Sequence, residues 1–481
     1  MPTTIIWEGA GGTLLFNSFA FVFFFFPIVL LGTYLTYKKS SVAYFWLVGA
    51  SLFFYGWWNP ANLPLILGSA VANYWMGRRL SHQPQKSLLT LGIAANLLAL
   101  GYFKYTHFFV DTLNSLFSDA YVVKEIVLPL AISFFTFQQV AYLVDAYRGE
   151  TQDYSFMQYL LFVTFFPQLI AGPIVHHREM TQQFERLGQK PFTWEDLATG
   201  LVIFTIGLMK KTLIADNLSP FVVQAFSTVE SGALLSSIEA WRAALSYTFQ
   251  LYFDFSGYAD MAIGSALAIG IRLPINFDSP YKSHDVIEFW RRWHMTLSRF
   301  LKDYLYIPLG GKYNRSRNLL ITMLLGGLWH GAGWTFIVWG GLHGAFLSIN
   351  HAWKRCEIQL PVVLGWLITF IAVLHSWVVF RAESLAGALR LFSSMYSFNL
   401  TAQPTIAAAS QNTFYLLLAA GLAFLMPNTA QLTHYCTLKS VRFSLPVQWQ
   451  PTLFWNVLLS VGLLYSLTQL TNVSEFLYFQ F

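Results

Sequence analysis

The sequence predicts an all-α protein that crosses a membrane several times. Of its 481 residues, 55% are hydrophobic and 11% are charged, whereas a soluble globular protein carries about 25% charged residues. Apolar runs recur from Leu14 almost to the C-terminus, and many approach the roughly 20 residues that a helix needs to cross a hydrocarbon core. The run at 21–31 has no polar face, although a surface helix of a soluble protein needs one. The sequence is therefore typical of a polytopic membrane protein.

The charge distribution and the cysteine content exclude further classes of protein. The net charge is +6, and the Lys and Arg residues lie in short clusters between apolar runs. This distribution is typical of cytoplasmic loops and argues against a nucleic-acid partner. The cysteines, Cys356 and Cys436, are too few for a disulfide framework or a metal cluster, so no metal site is expected. Residues 1–13 contain no Lys or Arg, so they lack the basic region of a cleavable signal peptide and the first span is expected to stay in the membrane.

The apolar runs predict roughly ten to twelve spans. Segment 240–271 forms either two passes or one long helix, and 175–197 is expected to be an interfacial amphipathic helix and loop. Pro167 and Gly172-Pro173 interrupt another run, which predicts a re-entrant segment or a cavity lining. The candidate spans lie at residues 15–36, 43–58, 63–77, 87–103, 127–144, 157–174, 195–213, 240–271, 319–345, 360–380, 412–426 and 453–470.

Three basic loops predict the orientation in the membrane. Lys38-Lys39, Arg78-Arg79 and Arg148 follow the first, third and fifth candidate spans. Because cytoplasmic loops are enriched in Lys and Arg, all three loops are expected to face the cytoplasm. The N-terminus then lies outside the cytoplasm.

The most charged region of the chain is 281–317, and the block 288–311 within it combines aromatic, basic and histidine side chains. Residues four apart on a helix lie on one face, so its charges can pair locally. One interpretation is an interfacial helix, since aromatic and basic residues favour the headgroup region. The other is a functional site that dips into the membrane. The pairs with this spacing are Glu288–Arg292, Arg299–Asp303 and His294–Ser298.

The segment 324–344 is apolar and glycine-rich, and its ionisable residues are His330 and His343. An ionisable residue at membrane depth is a functional candidate, and histidine is suited to take a proton from a hydroxyl near neutral pH. The alternative is a histidine that bonds a neighbouring helix for packing. Their separation of 13 residues (343 − 330 = 13) corresponds to about 220° around a straight helix. His343 is therefore expected to have a structural or secondary role.

Two carboxylates fall in another apolar stretch. Asp254 and Asp260 lie within 252–264, where a carboxylate can orient a histidine, pair with an arginine or accept a hydrogen bond from a hydroxyl. The sequence contains no Gly-x-Ser-x-Gly nucleophile elbow, Walker loop or His-Glu-x-x-His zinc motif. The available chemistry is therefore that of histidine and carboxylate groups.

Five motifs follow one another along the chain: FFPQLIAGPI, QLYFDFSGYADMAIG, LPINFDSPY, FWRRWHMTLSRFLKDYLYIPLGG and GGLWHGAGWTFIVWGGLHG. In this order they resemble the membrane-bound O-acyltransferase (MBOAT) family, in particular the membrane subunit of bacterial alginate O-acetyltransferases. The motifs cover about residues 130–345 densely, so a single domain over 1–481 with an MBOAT-like core at 130–345 is expected. Residues 1–13, an extracytoplasmic extension before Leu14, depart from the family pattern.

The resemblance implies a fold and a site. The fold is a ring of tilted transmembrane helices around a central pore, with re-entrant segments. His330, in Leu-Trp-His-Gly, matches the family's catalytic histidine, and His294, in Arg-Trp-His-Met, matches a second histidine that lines the tunnel. Further substrate or tunnel candidates are Asp254, Asp260, Ser298, Trp329 and His343.

The function implied by the resemblance is O-acyl transfer in a bacterial inner membrane. An acyl thioester, acetyl-CoA or another acyl donor, reaches the pore from the cytoplasm with no bound cofactor, and His330 deprotonates the acceptor hydroxyl. An extracytoplasmic acetyltransferase partner then esterifies an exported polysaccharide such as alginate. Two alternatives remain: a transporter or channel for polysaccharide or lipid, and a scaffold subunit without chemistry. Broken helices and buried histidines also suit a transporter, although no two-fold repeat of broken spans is present.

Overall fold

In a computed structural model of the chain, every regular element of the described residues is a helix, which confirms the all-α prediction. The predicted extension at residues 1–13 lies outside the described residues. The chain forms two compact units, Met1–Leu201 with Ala262–Pro274, and Val202–Met261 with Ile275–Phe481. The structure describes residues 14–117, 121–151, 155–170, 172–187, 193–398, 406–436, 446–472 and 477.

Among the described residues, the first unit contains seven helices of nine or more residues and parts of two helices that it shares with the second unit. Helix α1 opens with a π-helical turn at Phe21–Phe25, which is followed by Phe26 and Pro27. The helices are α1 (Phe21–Thr36), α2 (Ser40–Trp58), α3 (Leu63–His82), α4 (Lys86–Phe117), α5 (Ile132–Tyr147), α6 (Phe156–Thr164) and α7 (His177–Glu185), followed by the start of α8 (Trp194–Glu230).

The second unit contains most of α8 and the helices that carry the candidate residues. The stretch at 240–271, for which the sequence predicts either two passes or one long helix, lies almost entirely in a single helix of 32 residues. The helices are α9 (Ser237–Ala268, which ends in the first unit), α10 (Val286–Arg292), α11 (Met295–Leu301), α12 (Arg315–His330), α13 (Trp334–Arg355), α14 (Val362–Arg381), α15 (Leu385–Tyr396), α16 (Ile406–Leu425) and α17 (Leu453–Thr468).

Several helices suit a membrane. Among the described residues, three helices (α4, α8 and α14) are long and apolar enough to cross a bilayer, judged by length and composition. Shorter apolar helices are α1, Ser410–Leu425 of α16, and α17. The count of roughly ten to twelve spans and the ring around a central pore stay predictions.

The helix break expected near Pro167 is present. Helix α6 ends at Thr164, a one-turn helix follows at Phe166–Leu169, and α7 begins at His177. Nε2 of His177 lies 3.0 Å from Oδ2 of Asp145, and both side chains are buried. This contact fastens α7 to α5.

The prediction of one span at 319–345 is wrong, because two helices occupy that range. Helix α12 ends at His330 and α13 begins at Trp334, and the chain reverses direction between them. The angular separation of His330 and His343 assumed one straight helix. The calculated separation of about 220° therefore does not apply to the folded chain.

Glycines allow α12 and α13 to pack at backbone contact. A Cβ atom added at Gly327 would collide with the carbonyl oxygen of Phe336, and one at Gly340 would collide with the carbonyl oxygen of Met323. Glycine has no Cβ, so it permits this approach. The two helices form an antiparallel hairpin that carries His330 at its turn.

The charged region 288–311 is also not one helix. Helix α10 ends at Arg292, His294 has a φ of 42°, and α11 begins at Met295. The predicted pair of Glu288 and Arg292 is confirmed, with a carboxylate–guanidinium distance of 3.0 Å. The break rotates the following residues away from the face that a continuous helix would give them.

Neighbouring glycines of α13 test the importance of the close approach. Gly340→Ala should lower the free energy of unfolding by about 1–3 kcal/mol, because overpacking forces the two backbones apart. Gly341→Ala is the matched control, since its Cβ would meet Cδ2 of Leu324 at an ordinary 3.5 Å. Thermal unfolding in detergent would measure both variants. Equal melting temperatures for the two would contradict the expectation.

Candidate active site

The junction between α10 and α11 holds a strained backbone. His294 has a φ of 42°, in the left-handed region that costs a non-glycine residue about 1–2 kcal/mol. Two hydrogen bonds hold this junction: the Met295 amide donates to the Asn276 carbonyl at 3.0 Å, and the Asp278 amide donates to the Arg292 carbonyl at 2.9 Å. Strain maintained by surrounding bonds is typical of functional sites.

His294 is fully buried and bonded on one edge. Its Nδ1 lies 3.0 Å from Oδ1 of Asn276, and the same oxygen accepts a hydrogen bond from the Thr296 hydroxyl at 2.9 Å. The Phe255 ring packs edge-on against the imidazole at a centroid distance of 4.9 Å. Helices α10 and α11 have 7 residues each, too few to span a bilayer. Burial lowers the pKa of His294 to about 3, so the side chain is neutral near pH 7.

His330 ends α12 inside a group of aromatic rings. Its ring centroid lies 5.0 Å from Trp329, 5.1 Å from Trp339 and 5.5 Å from Phe380. The centroids of His330 and His294 are 6.3 Å apart. The structure therefore brings together two histidines that are 36 residues apart in the chain (330 − 294 = 36). Their catalytic roles stay predictions.

His343 is held by hydrogen bonds at both ring nitrogens. Nε1 of Trp290 donates to Nδ1 at 3.1 Å, and Nε2 lies 2.8 Å from the Ser376 hydroxyl. Because an indole N–H can only donate, Nδ1 is the acceptor and Nε2 carries the proton. The serine hydroxyl in turn donates to the Val373 carbonyl at 2.7 Å. This arrangement fits the structural role expected for His343.

The two histidines of the hairpin nevertheless share an aromatic neighbour. The Trp339 ring lies 4.9 Å from His343 and 5.1 Å from His330, measured between centroids. On one straight helix, His330 and His343 would lie on different faces. The reversal of the chain at 331–333 brings them to one tryptophan.

The two aspartates are engaged by lysines. A π-helical turn in α8 directs two consecutive lysines towards α9. Nζ of Lys211 lies 2.7 Å from Asp254 and 2.7 Å from Asp216, and Nζ of Lys210 lies 2.6 Å from Asp260. Removing one partner of a buried ion pair typically destabilises a protein by about 3–5 kcal/mol. Both carboxylates therefore serve the packing of α8 on α9.

Ser298 and Trp329 occupy different surroundings. The half-buried Ser298 hydroxyl donates to the Trp293 carbonyl at 3.4 Å, in the junction that precedes its helix. Trp329 is buried, and its ring centroid lies 6.4 Å from that of His294. Of these two tunnel candidates, Trp329 is the one that borders both histidines.

Sequence reasoning missed residues for which signals existed. Asn276 lies in the quoted motif LPINFDSPY, and a lysine pair inside an apolar run must find acidic partners. Among the described residues, no group of three His, Cys, Asp or Glu side chains could hold a metal ion. The missed residues are Asn276, Trp339, Phe380, Lys210 and Lys211.

Comparisons with known proteins place this geometry in context. A sequence model of the membrane-bound O-acyltransferase family matches residues 86–389. The chain is 43% identical to the peptidoglycan O-acetyltransferase of Helicobacter pylori, over 97% of this chain and 98% of that protein. It is 42% identical to a probable alginate O-acetylase of Azotobacter vinelandii, over 80% and 78%. It is also 29% identical to a teichoic acid D-alanyltransferase of Streptococcus thermophilus, over 52% and 68%.

The hydrogen bonds of His343 predict a stability effect. Ser376→Ala should lower the free energy of unfolding by about 1–3 kcal/mol, because a buried imidazole N–H loses its acceptor. Ser348→Ala is the control: that half-buried hydroxyl bonds the Gly344 carbonyl of its own helix at 2.9 Å, and its loss should change stability by less than about 0.5 kcal/mol. Calorimetry of the purified variants in detergent would separate them. A Ser376→Ala protein as stable as the control would refute the expectation.

Proposed function

Because the chain belongs to the membrane-bound O-acyltransferase family, we propose that it moves an acetyl group from a thioester donor towards an exported polysaccharide. The observation that carries the proposal is the buried pair His294 and His330, whose rings lie 6.3 Å apart. Both lie within the family match at residues 86–389. The transporter alternative and the scaffold alternative are not supported, since the family is one of acyltransferases.

The proposed reaction uses His330 as general base. The imidazole takes the proton of the acceptor hydroxyl, and the oxygen attacks the thioester carbonyl. The carbon–sulfur bond then breaks, and the leaving thiolate receives the proton from the imidazolium. The rings of Trp329, Trp339 and Phe380 surround His330 and keep out water that would hydrolyse the thioester. His294 positions one of the two substrates.

A basic cluster supports the proposed donor. Nη1 of Arg315, at the start of α12, donates to Nδ1 of His351 at 3.3 Å. Burial first, and then the charges of the surrounding cations, lower the pKa of His351. Such a concentration of cations is typical of a cytoplasmic surface and suits a phosphate-bearing donor such as acetyl-CoA. The cations around His351 are Arg315, Lys354, Arg291 and Arg355.

The proposed final acceptor is a sugar hydroxyl outside the cytoplasm. The Helicobacter pylori relative is named for peptidoglycan and the Azotobacter vinelandii relative for alginate, and both acceptors are sugar polymers. A polymer outside the membrane cannot reach a buried histidine directly. An extracytoplasmic acetyltransferase partner would therefore accept the acetyl group on a hydroxyl and pass it to the polymer.

The contacts of the first unit support the proposed orientation, in which the three basic loops lie on one side of the membrane. The hydroxyls of Ser81 and Thr151 are 2.8 Å apart, which joins the last turn of α3 to the loop after α5. The Ser40 hydroxyl donates to the Leu187 carbonyl at 2.7 Å, which joins the start of α2, directly after Lys38-Lys39, to the residues that follow α7. The contact between α7 and α5 completes the connection. The three basic loops therefore face one side, as the predicted cytoplasmic location requires.

Loss of the histidines tests the proposed chemistry. His330→Ala should lower acetyl transfer by about 10²–10⁴-fold, the usual contribution of a general base. His294→Ala should lower it less. His375→Ala is the matched control, because that half-buried histidine bonds the Tyr396 hydroxyl at 2.6 Å and its ring stacks on Phe392 at 5.5 Å, contacts that involve neither candidate histidine. The measurement is ester-linked acetate in purified peptidoglycan and exopolysaccharide, at matched levels of membrane protein. Near-normal acetate with His330→Ala would refute the proposal.

Labelling from outside intact cells tests the orientation. Cysteines introduced at Lys38, Arg78 and Arg148 should resist a membrane-impermeant maleimide, because the three loops face the cytoplasm. Asn59→Cys is the control, since this exposed residue follows α2 at its opposite end and should react.

The native cysteines require a matched background. Cys356 is exposed and Cys436 is partly exposed, so both are replaced by serine before labelling. Reaction at any one of the three basic loops, under conditions in which the Asn59 position also reacts, would overturn the orientation.

A further inference from the structure

The side-chain oxygen of Asn276 is an acceptor for three donors. The Thr296 hydroxyl approaches Oδ1 at 2.9 Å, the Thr296 backbone amide at 3.4 Å, and Nδ1 of His294 at 3.0 Å. A backbone N–H can only donate, so the atom that faces it must be the oxygen of the amide and not its nitrogen. The orientation of the Asn276 amide is therefore fixed by the backbone of α11.

The fixed oxygen determines the protonation of its third neighbour. An oxygen that accepts from the imidazole requires a proton on Nδ1 of His294. A neutral imidazole carries one proton, so Nε2 of His294 then holds a lone pair. The edge of the ring opposite Asn276 is thus a hydrogen-bond acceptor.

Three aromatic or imidazole rings from two helices pack against His294. Helix α9 presents the apolar ring of Phe255 at 4.9 Å, and α12 presents Trp329 at 6.4 Å and His330 at 6.3 Å, between ring centroids. Helix α11 presents the neutral Thr296. His330 is the titratable group that faces His294 from these elements.

We propose that Asn276 is a positioning residue that holds neutral His294 as the Nδ1–H tautomer, so that Nε2 accepts a hydrogen bond from the substrate. The bond comes from a substrate hydroxyl or amide N–H, while the proton lost in the reaction goes to His330. This inference rests on the proposed acyl-transfer function. It assigns different tasks to the two histidines: one binds a hydrogen-bond donor and the other takes the proton.

Asn276 also caps the first turn of α11. A test of its effect on the tautomer of His294 must therefore be separated from this capping. Oδ1 of Asn276 bonds an amide in the first turn of α11, where His294 itself provides no side-chain cap. Loss of a cap destabilises a helix whatever the role of the neighbouring histidine. The test therefore needs a readout that capping does not change.

The direct readout is the tautomer of His294 in the intact protein. Nitrogen-15 NMR of histidine-labelled protein in detergent distinguishes a protonated ring nitrogen from one with a lone pair, and His294→Gln assigns the signal. The wild type should show a proton on Nδ1 and a lone pair on Nε2. Asn276→Leu, which cannot accept a hydrogen bond, should show a second population with the proton on Nε2. A wild-type signal with the proton on Nε2 would overturn the proposal.

A double-mutant cycle supplies the functional readout. Asn276→Leu should lower kcat/KM about tenfold or more in the wild type, but less than about twofold in the His294→Ala background, because residues that act through one another are not additive. Equal losses in both backgrounds would reduce Asn276 to a helix cap and refute the proposal. Ser384→Ala, which removes the side-chain cap of α15, should leave kcat/KM within about twofold.

The outcomes distinguish the two proposals. If Asn276→Leu fails to fold, Asn276→Asp keeps an oxygen acceptor and should retain the proton on Nδ1 of His294. A proton on Nε2 in that variant would also count against the inference. If the wild type transfers no acetyl group, the proposed function fails, whereas the tautomer is still measured. If the wild type is active but its tautomer is the opposite one, the inference alone fails.

Discussion

The constraint on which this structure depends is that a polar group buried away from water must find a partner. An unpaired buried amide or hydroxyl costs several kcal/mol in a hydrocarbon-like interior, and an unpaired charge costs far more. The buried lysine Lys211 meets this constraint with two carboxylates at 2.7 Å, and His343 meets it with an indole and a serine. These bonds fix which faces of α8, α9, α13 and α14 turn towards one another.

Glycine contacts convert that arrangement into a site. Where α12 and α13 touch at Gly327 and Gly340, no Cβ separates the backbones, so the turn between them is tight. His330 lies at the start of this turn. The Trp339 ring of α13 packs against the His330 imidazole at a centroid distance of 5.1 Å. The rigidity of the hairpin holds His330 within a fixed aromatic surrounding, which suits the proposed role of a base that must meet one oxygen atom.

The sequence predicted the helices better than the junctions between them. Apolar length fixes the position of a span such as Val362–Arg381, because hydrophobic burial acts along the whole segment. It does not reveal breaks, which depend on a few bonds: the reversal after His330 and the left-handed residue His294 both depend on contacts with distant segments. The second half of α8 was missed because its polar residues lower the hydropathy of the segment. The neighbourhood of the two histidines was implied by the family resemblance and by no spacing rule.

The three histidines near the hairpin show how the same side chain takes different tasks from its surroundings. His343 has both ring nitrogens bonded within the protein, so it has no nitrogen left for a substrate. Nδ1 of His294 is bonded to Asn276. In the proposed arrangement the proton therefore lies on Nδ1, and Nε2 on the opposite edge of the ring accepts a hydrogen bond. His330 packs among the rings of Trp329, Trp339 and Phe380. In the proposed reaction these rings would keep water away from the thioester while the imidazole takes the proton of the acceptor hydroxyl.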